Sequence, residues 1–385
     1  MIASIVVPFS FLVGRSVFRS DSIALGCTAV IATMPEFMID VARVGNECLA
    51  VVLFTLLTWL IVESVVADLH YLRAFSIGVV LGLGLLTKAY FLTAVPAIVL
   101  LLAYNFWRSR GNPFPAVSAT FIVGSSSMAI AAWWYIRNVV TTATFSGLGA
   151  ATSLPGRMSE ISIFSRVAEI HWPTAIDAIL LSHIWFGGWS SLTIRSWMYH
   201  VFYLIMGLAA IGLVRVIRRP PNLALTAVYA AFWIGQLYNV LLLYSATGMA
   251  TSMGWYMYAV VAAEVTLCIA GLRAISPVRW RGHVPLIGVL LFALLDLYTI
   301  HAVAIPYYTG MISHAANGAL VLHISRLEVS EIFTRLAGYK TGVLSGSILL
   351  ALWAAYVVAT VALVLIGLSG CSKTDAAGGC KIAEA

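Results

Sequence analysis

Charge is scarce in this chain. Only 10% of its 385 residues are charged, whereas 61% are hydrophobic. Soluble proteins carry about 25% charged residues, and the mean hydropathy here is +0.97. The composition therefore excludes an ordinary soluble domain. Apolar runs separated by short polar loops instead predict an all-α fold, a polytopic transmembrane helical bundle of about 11 spans.

Several signatures of common enzymes are also missing. The five cysteines show no zinc-type spacing, and the chain has neither a nucleophile elbow nor a glycine-rich phosphate loop before a helix. The sequence therefore gives little support for a hydrolase or a P-loop enzyme. We expect no bound metal, and the sequence indicates no definite cofactor. The net charge of +7 does not indicate nucleic acid, because Lys and Arg are scattered through short loops between apolar runs.

The distribution of Lys and Arg among the loops predicts how the chain is oriented in the membrane. Most Lys and Arg residues fall in loops on one side, which the positive-inside rule assigns to the cytoplasm. We expect a single transmembrane domain over residues 1–368, with extracytoplasmic loops at 139–196 and 306–342 that carry short amphipathic interfacial helices. Residues 369–385 would form a disordered cytoplasmic tail. The expected location is the inner (plasma) membrane of the cell.

The segment Gly78–Pro96 places one cation, Lys88, between two apolar runs. A lysine in hydrocarbon costs about 2.5–3.5 kcal/mol on insertion scales, so it either reaches the headgroup level or holds an anion. The spacing predicts a helical hairpin with a positive charge at its tip, which suits the phosphate of a lipid-linked substrate. The alternative is a simple interfacial anchor.

Acids and cations accumulate on the predicted outer side. The ones that could act on a substrate are Asp40, Asn46, Glu47, Lys88, Arg137 and His183. In transfer from a lipid phosphate, a carboxylate would act as general base on an acceptor hydroxyl, and cations would neutralise the departing phosphate. The alternative is that these residues are solvated loop charges. Glu264 and Asp296 lie within apolar runs, where acids are functional candidates. Polar neighbours within the bundle could also hold them, such as Gln236, Asn239, Thr266 or His301.

Four short motifs occur in order along the chain. They are Val44-Gly-Asn-Glu-Cys-Leu49, Gly82-Leu-Gly-Leu-Leu-Thr-Lys88, Trp134-Tyr-Ile-Arg-Asn138 and Gly254-Trp-Tyr-Met-Tyr258. Together they resemble the integral-membrane C-type (GT-C) glycosyltransferases of the protein mannosyltransferase and aminoarabinose transferase kind. The resemblance covers most of residues 15–272.

The resemblance implies transfer of a sugar from a polyprenyl phosphate on the extracytoplasmic face, with inversion. It implies that Glu47 matches an acidic residue of the family's second outer loop and is the catalytic acid or base that remains here. Lys88 would lie near the donor and Arg137 at the outer membrane boundary. Tyr256 and Tyr258 would lie near the lipid or sugar. The implied partners are a lipid-linked sugar donor and membrane lipids, with no nucleic acid.

One feature departs from that family. Its principal catalytic aspartate lies in a first outer loop, after the first helix, and no segment here corresponds to that loop. The first apolar run ends after about 14 residues at Arg15, short of the roughly 20 that a span needs. We therefore expect that a preceding helix is missing or that the protein no longer catalyses transfer alone. The alternatives are a transporter or flippase of lipid-linked saccharides and an inactive accessory membrane protein.

Overall fold

The computed structural model of the chain describes residues 2–43, 45–109, 114–147, 163–316, 320–322, 329–338 and 345–376. Eight helices among them are long and apolar enough to cross a bilayer, and one bent pair would make a ninth. Two shorter apolar helices, Ile2–Phe18 and Tyr71–Thr87, accompany these. The predicted all-α polytopic bundle is therefore confirmed, and the chain is a membrane protein.

The helices follow one another with short connections. The first half contains α1 (Val6–Phe18), α2 (Asp21–Ala32), α3 (Pro35–Ala42), α4 (Glu47–Val66), α5 (Tyr71–Thr87), α6 (Ala94–Arg108) and α7 (Phe114–Thr142), with 3₁₀ turns at Ile2–Ile5 and Ala89–Thr93. The second half contains α8 (Trp172–Ile184), α9 (Ser196–Leu213), α10 (Pro220–Thr247), α11 (Val261–Ile275), α12 (Val284–Asp296), α13 (Ile305–Tyr308), α14 (Val329–Ala337) and α15 (Gly346–Ala376). Its irregular helical turns are Ser165–Glu169, Gly188–Ser190, Gly254–Val260, Val278–Trp280 and the π-helical Leu297–Ala304. Ile312–His314 (β1) and Leu320–Leu322 (β2) pair as antiparallel three-residue strands.

The chain bends by 66° between α2 and α3. Ser20 caps the start of α2, because its side chain accepts a hydrogen bond from the Ile23 amide. Pro35 then starts α3 at a position where a missing N–H costs nothing. The helix α3 therefore runs in a different direction from α2.

The helix α4 lies at the centre of the bundle. Two apolar clusters meet on it: one with α5, α6 and α10, and one with α1, α2, α11 and α12. Leu57 of the first cluster and Val62 of the second have no exposed surface. A helix that is apolar on all sides is typical of such a central position.

Glycines allow α5 to approach α7 closely. A Cβ added at Gly78 would overlap the Ser126 hydroxyl and the Val123 carbonyl, and one at Gly82 would overlap Ile130. Small residues four apart are a common device for close helix packing in membranes, where van der Waals contact drives association. This packing fixes the end of α5, where Lys88 follows.

Side-chain contacts join neighbouring helices and connections at both ends of the bundle. At one end, the Ser16 hydroxyl donates to Glu63 Oε2 over 2.7 Å, and Arg73 donates to the Asp68 carbonyl over 2.9 Å. At the other end, the Asn46 amide donates to the Thr87 carbonyl over 2.8 Å. We refer to the latter as the Glu47 end.

Three features add detail to the sequence expectations. The last helix continues to Ala376, past the predicted start of a disordered tail at 369. The two short strands lie in the loop predicted for 306–342. The helix α8, predicted to lie on the membrane surface, packs one face against the bundle, and the Gly254 backbone approaches it closely enough that a Cβ would overlap the Ile179 carbonyl. Its Pro173, Thr174 and Asp177 are exposed. Residues 377–385 lie outside the described part of the chain.

Candidate functional site

The start of α4 and the end of α5 meet at the Glu47 end. Lys88 follows α5 in extended conformation, and its ammonium forms an ion pair with Glu47 Oε1. The Tyr90 hydroxyl donates a hydrogen bond to Glu47 Oε2 over 3.4 Å. Both charged side chains are partly buried, with 25% of Lys88 and 20% of Glu47 exposed. The two residues on which the sequence interpretation depended are therefore brought together.

Asn46 supports this junction. Its side-chain amide donates to the Thr87 carbonyl, the residue before Lys88. A free carbonyl at the end of α5 is one of the groups that a helix leaves without an internal partner. Asn46 is exposed, and its hydrogen bond to the Thr87 carbonyl holds the start of α4 to the end of α5.

Asp40 forms a second, more buried acidic position beside this pair. Its Oδ1 lies 3.4 Å from Arg43 Nη1, and 2% of the side chain is exposed. Its Oδ2 is buried and has no hydrogen-bond partner among the described residues. The Arg43 guanidinium lies 5.1 Å from the centre of the Trp255 ring, a cation–π geometry. The charges of Glu47 and Lys88 both act on Asp40, so the two ion pairs form one electrostatic cluster.

Glu36 anchors α3, which carries Asp40. Its Oε2 accepts hydrogen bonds from the amides of Phe186 and Gly187 at 3.0 and 2.9 Å, and its Oε1 accepts one from Gly188 at 2.9 Å. Gly187 and Gly188 both have positive φ, which lets successive amides point at one anion. Glu36 is completely buried. The sequence showed it only as one more acid in an outer loop.

A cavity of about 650 Å³ extends from the Lys88 junction between α6 and α10. Its polar lining includes Lys88, Tyr90, Gln236, Asn239 and Tyr256. The Lys88 ammonium lies 5.9 Å from the centre of the Tyr256 ring. The site therefore offers a cation, hydroxyls and amides in one cavity.

Most of the remaining lining of that cavity is apolar. Its walls include Leu92, Pro96, Phe164, Ile234 and Leu237. Ile234 is 68% exposed, so the cavity wall continues onto the apolar outer surface of the bundle. A polar end joined to such a wall suits an amphiphile that enters from a bilayer.

Gln236 and Asn239 were expected only as possible partners of intramembrane acids. Instead, Gln236 donates to Ser252 Oγ at 2.8 Å and to the Met253 carbonyl at 3.0 Å, and Asn239 donates to Ser252 Oγ at 3.0 Å. Their three-residue spacing on α10 puts both amides on one face. That spacing was a signal that sequence reasoning could have used.

Three predicted site residues lie elsewhere. Arg137 is exposed on α7, with its guanidinium 5.0 Å from the centre of the Trp134 ring. Tyr258 has no exposed surface, and its hydroxyl donates to the His183 carbonyl over 2.6 Å. His183 is also buried, with its ring centre 4.7 Å from that of Tyr258. None of the three lines the cavity at Lys88, because Arg137 faces outward and the other two fill the core.

The two intramembrane acids each pair with a histidine. Glu264 Oε1 lies 2.9 Å from His183 Nε2, and Asp296 Oδ2 lies 3.5 Å from His301 Nδ1. His301 was one of the partners expected for these acids, whereas His183 was not. Within the described parts of the chain, no three His, Cys, Asp or Glu side chains are grouped to hold a metal ion.

Comparison with known proteins found no matching family model, no matching curated protein and no matching solved structure. The interpretation of the site therefore depends on its own geometry.

Proposed function

We propose that this protein is a membrane glycosyltransferase that takes a sugar from a polyprenyl-phosphate donor. The observation that carries the proposal is the Lys88–Glu47 pair, whose lysine lines one end of a largely apolar cavity. Such a cavity would accept the isoprenoid chain, Lys88 would meet the phosphate, and a carboxylate would lie beside the sugar. The order of groups in the cavity thus follows the order of groups in the donor.

The transfer step requires one base and one charge neutraliser. The acceptor hydroxyl oxygen forms a bond to the sugar C1 while the bond from C1 to the phosphate oxygen breaks. The hydroxyl proton passes to the Glu47 carboxylate, and the leaving group is polyprenyl phosphate, whose negative charge Lys88 offsets. Attack from the face opposite the phosphate inverts the configuration at C1.

Donor binding would free Glu47 for this role. In the structure the Lys88 ammonium is paired with Glu47, so one carboxylate oxygen is engaged with Lys88. A phosphate that competes for Lys88 would relieve the pair, so binding of the donor and activation of the base are coupled. Asp40 and Arg43 lie behind the pair and keep the local charge balanced.

The charge distribution supports an orientation. At the end of the bundle away from Glu47, five arginines lie in connections or in the helix turns next to them: Arg15, Arg73, Arg108, Arg215 and Arg279. The positive-inside rule would put those connections in the cytoplasm. The Glu47 cavity would then face the outer side of a plasma membrane.

A transporter or flippase of lipid-linked saccharides is the second candidate. The observation in its favour is Glu264, an acid within an apolar helix that lines a separate cavity. Against it, Asp296 lines neither of the two cavities described here, so the two acids do not share a path. An inactive accessory protein gives no reason for a cation that lines such a cavity to pair with an acid beside it.

The test uses the purified full chain in lipid nanodiscs. Undecaprenyl phosphate bearing a radiolabelled hexose or pentose is added with solubilised membrane extract as a source of acceptor, and mass spectrometry follows the undecaprenyl phosphate released. We expect release with the wild type and none with Glu47→Gln, which should still bind the donor. Glu63→Gln, at the opposite end of α4, is the matched control and should retain activity.

Three other outcomes would point away from transfer. Donor that binds and crosses the bilayer of proteoliposomes without losing its sugar would identify a transporter. Absence of donor binding would favour the accessory protein. Equal release by Glu47→Gln and wild type would remove Glu47 from the reaction.

A further inference from the structure

A second cavity, of about 230 Å³, lies between α2, α9, α11 and α12. It shares no lining residue with the cavity at Lys88. Its walls are almost wholly apolar and include Val30, Phe202, Met206 and Leu291. Ile287 also lines it and is 53% exposed. The cavity therefore opens onto the apolar surface that faces the hydrocarbon of a membrane.

The polar end of this cavity is formed by His183 and Glu264. Nε2 of His183 lies 2.9 Å from Glu264 Oε1, and Nδ1 lies 3.2 Å from the Gly254 carbonyl oxygen. Both ring nitrogens thus face acceptors, and a ring that donates from both is an imidazolium. Paired with the Glu264 carboxylate, it makes a polar end with no net charge.

One oxygen of that carboxylate is left over. Glu264 Oε2 is buried and accepts no hydrogen bond from any residue in the described part of the chain. Buried carboxylate oxygens are normally satisfied by a donor, so such an atom calls for a partner that the chain itself does not supply. Glu264 lines the cavity, so a ligand held there is the group placed to supply that donor.

We propose that this cavity binds a neutral lipid whose polar group is a hydroxyl, which donates its hydrogen to Glu264 Oε2 while the hydrocarbon chain lies along α9, α11 and α12. A phosphate head would bring a second negative charge to the carboxylate. An ammonium head would leave an uncompensated positive charge beside the imidazolium, in surroundings where net charge is costly. A hydroxyl satisfies the free oxygen and keeps the end neutral.

This site does not depend on the proposed sugar transfer. Its ligand, its walls and its polar residues differ from those of the Lys88 cavity. A protein that transfers no sugar would still be expected to bind the alcohol, and loss of the alcohol site would leave the proposed donor site in place.

The test is photolabelling of the full chain in nanodiscs with hexadecanol that carries a diazirine on its alkyl chain. Mass spectrometry locates the labelled residues. We expect labels on α9 and α11 in the wild type, and about tenfold less in Glu264→Ala because a charge-assisted hydrogen bond is lost. Glu264→Gln keeps an oxygen acceptor and should give an intermediate yield.

Two controls distinguish the contribution of the ligand's hydroxyl to labelling from that of its alkyl chain. Asp296→Asn changes another acid on α12 that lines neither cavity and should label like the wild type. Diazirine-bearing hexadecane, which lacks the hydroxyl, should label weakly and equally in all variants. Competition by unlabelled hexadecanol in the wild type needs no variant and covers the case in which Glu264→Ala fails to fold.

Three results would overturn the proposal. These are equal labelling of Glu264→Ala and wild type by the alcohol, equal labelling of α9 and α11 by alcohol and hydrocarbon, and stronger competition by hexadecylamine or hexadecyl phosphate than by hexadecanol.

Discussion

The Lys88 ammonium pairs with the Glu47 carboxylate although 41 residues separate the two along the chain. The pair connects the first turn of α4 to the residue that ends α5. Close packing of the α5 glycines on α7 and the Asn46 bond to the Thr87 carbonyl hold that junction in place. A charged pair with a quarter of its lysine exposed can exchange one partner for a ligand.

Lys88→Ala is expected to weaken binding of undecaprenyl phosphate by about tenfold or more, because one charge-assisted contact to the phosphate is lost. Native mass spectrometry of the nanodisc-embedded protein measures the affinity. Arg108→Ala removes a cation at the opposite end of the bundle, where it pairs with Asp68 at 3.5 Å, and should bind as the wild type does. Unchanged binding by Lys88→Ala would remove this lysine from the donor site.

Glu47→Gln is expected to lower the rate of sugar transfer by about 10²–10⁴-fold, the usual contribution of a general base. Donor affinity should stay the same or increase, since Lys88 loses a competing negative charge. Initial rates of undecaprenyl phosphate release, with binding measured on the same preparation, check both statements. A parallel loss of binding and rate would instead indicate that Glu47 organises the site without taking a proton.

Glu36→Ala is expected to lower the free energy of unfolding by about 3 kcal/mol or more, since it leaves three buried amides without an acceptor. Thermal unfolding in detergent, followed by tryptophan fluorescence, measures the loss. Glu331→Ala breaks an exposed pair with Arg335 and should change stability by less than about 1 kcal/mol. Similar unfolding temperatures for the two variants would contradict the anchoring role of Glu36.

Gly78→Ala and Gly124→Ala make a matched pair. A Cβ at Gly78 would overlap α7, whereas a Cβ at Gly124 meets open space. Overpacking costs about 1–3 kcal/mol, and replacing a helical glycine by alanine gains about 0.5–1 kcal/mol. We therefore expect Gly78→Ala to unfold at a lower temperature than the wild type, and Gly124→Ala at the same or a higher one. The reverse order would show that α5 and α7 are less closely packed than the structure has them.

Local patterns made the helices predictable, and distant contacts made most of the site unpredictable. The apolar runs and the lysine between them predicted α5, α6 and their junction, because hydropathy is a property of each segment. The amides that hold Glu36 come from residues 150–152 positions away, and no local pattern indicates such a partner.

His183 illustrates the same limit. In sequence it belongs to a polar loop between spans, which favoured an exposed position. In the structure it is buried, because Gly254 allows the Gly254–Val260 turn to approach α8 closely. The small residues Ala175 and Ser182 on the same helix were a sign of close packing, but the partner of a small face cannot be read from one segment.

The pairing of His183 with Glu264 predicts a dependence of stability on pH. Burial opposes protonation of the ring, but the Glu264 charge and the hydrogen bonds to Glu264 and Gly254 outweigh it and raise the pKa of His183. In the unfolded chain the pKa returns to about 6.5. The pair therefore stabilises the fold fully below about pH 6.5, and this contribution is lost as pH rises through the higher folded-state pKa. The unfolding temperature of the wild type should fall over that range, and Glu264→Gln, which removes the charge that raises the pKa, should show a smaller fall. Parallel profiles for the two proteins would mean that His183 is neutral in the fold.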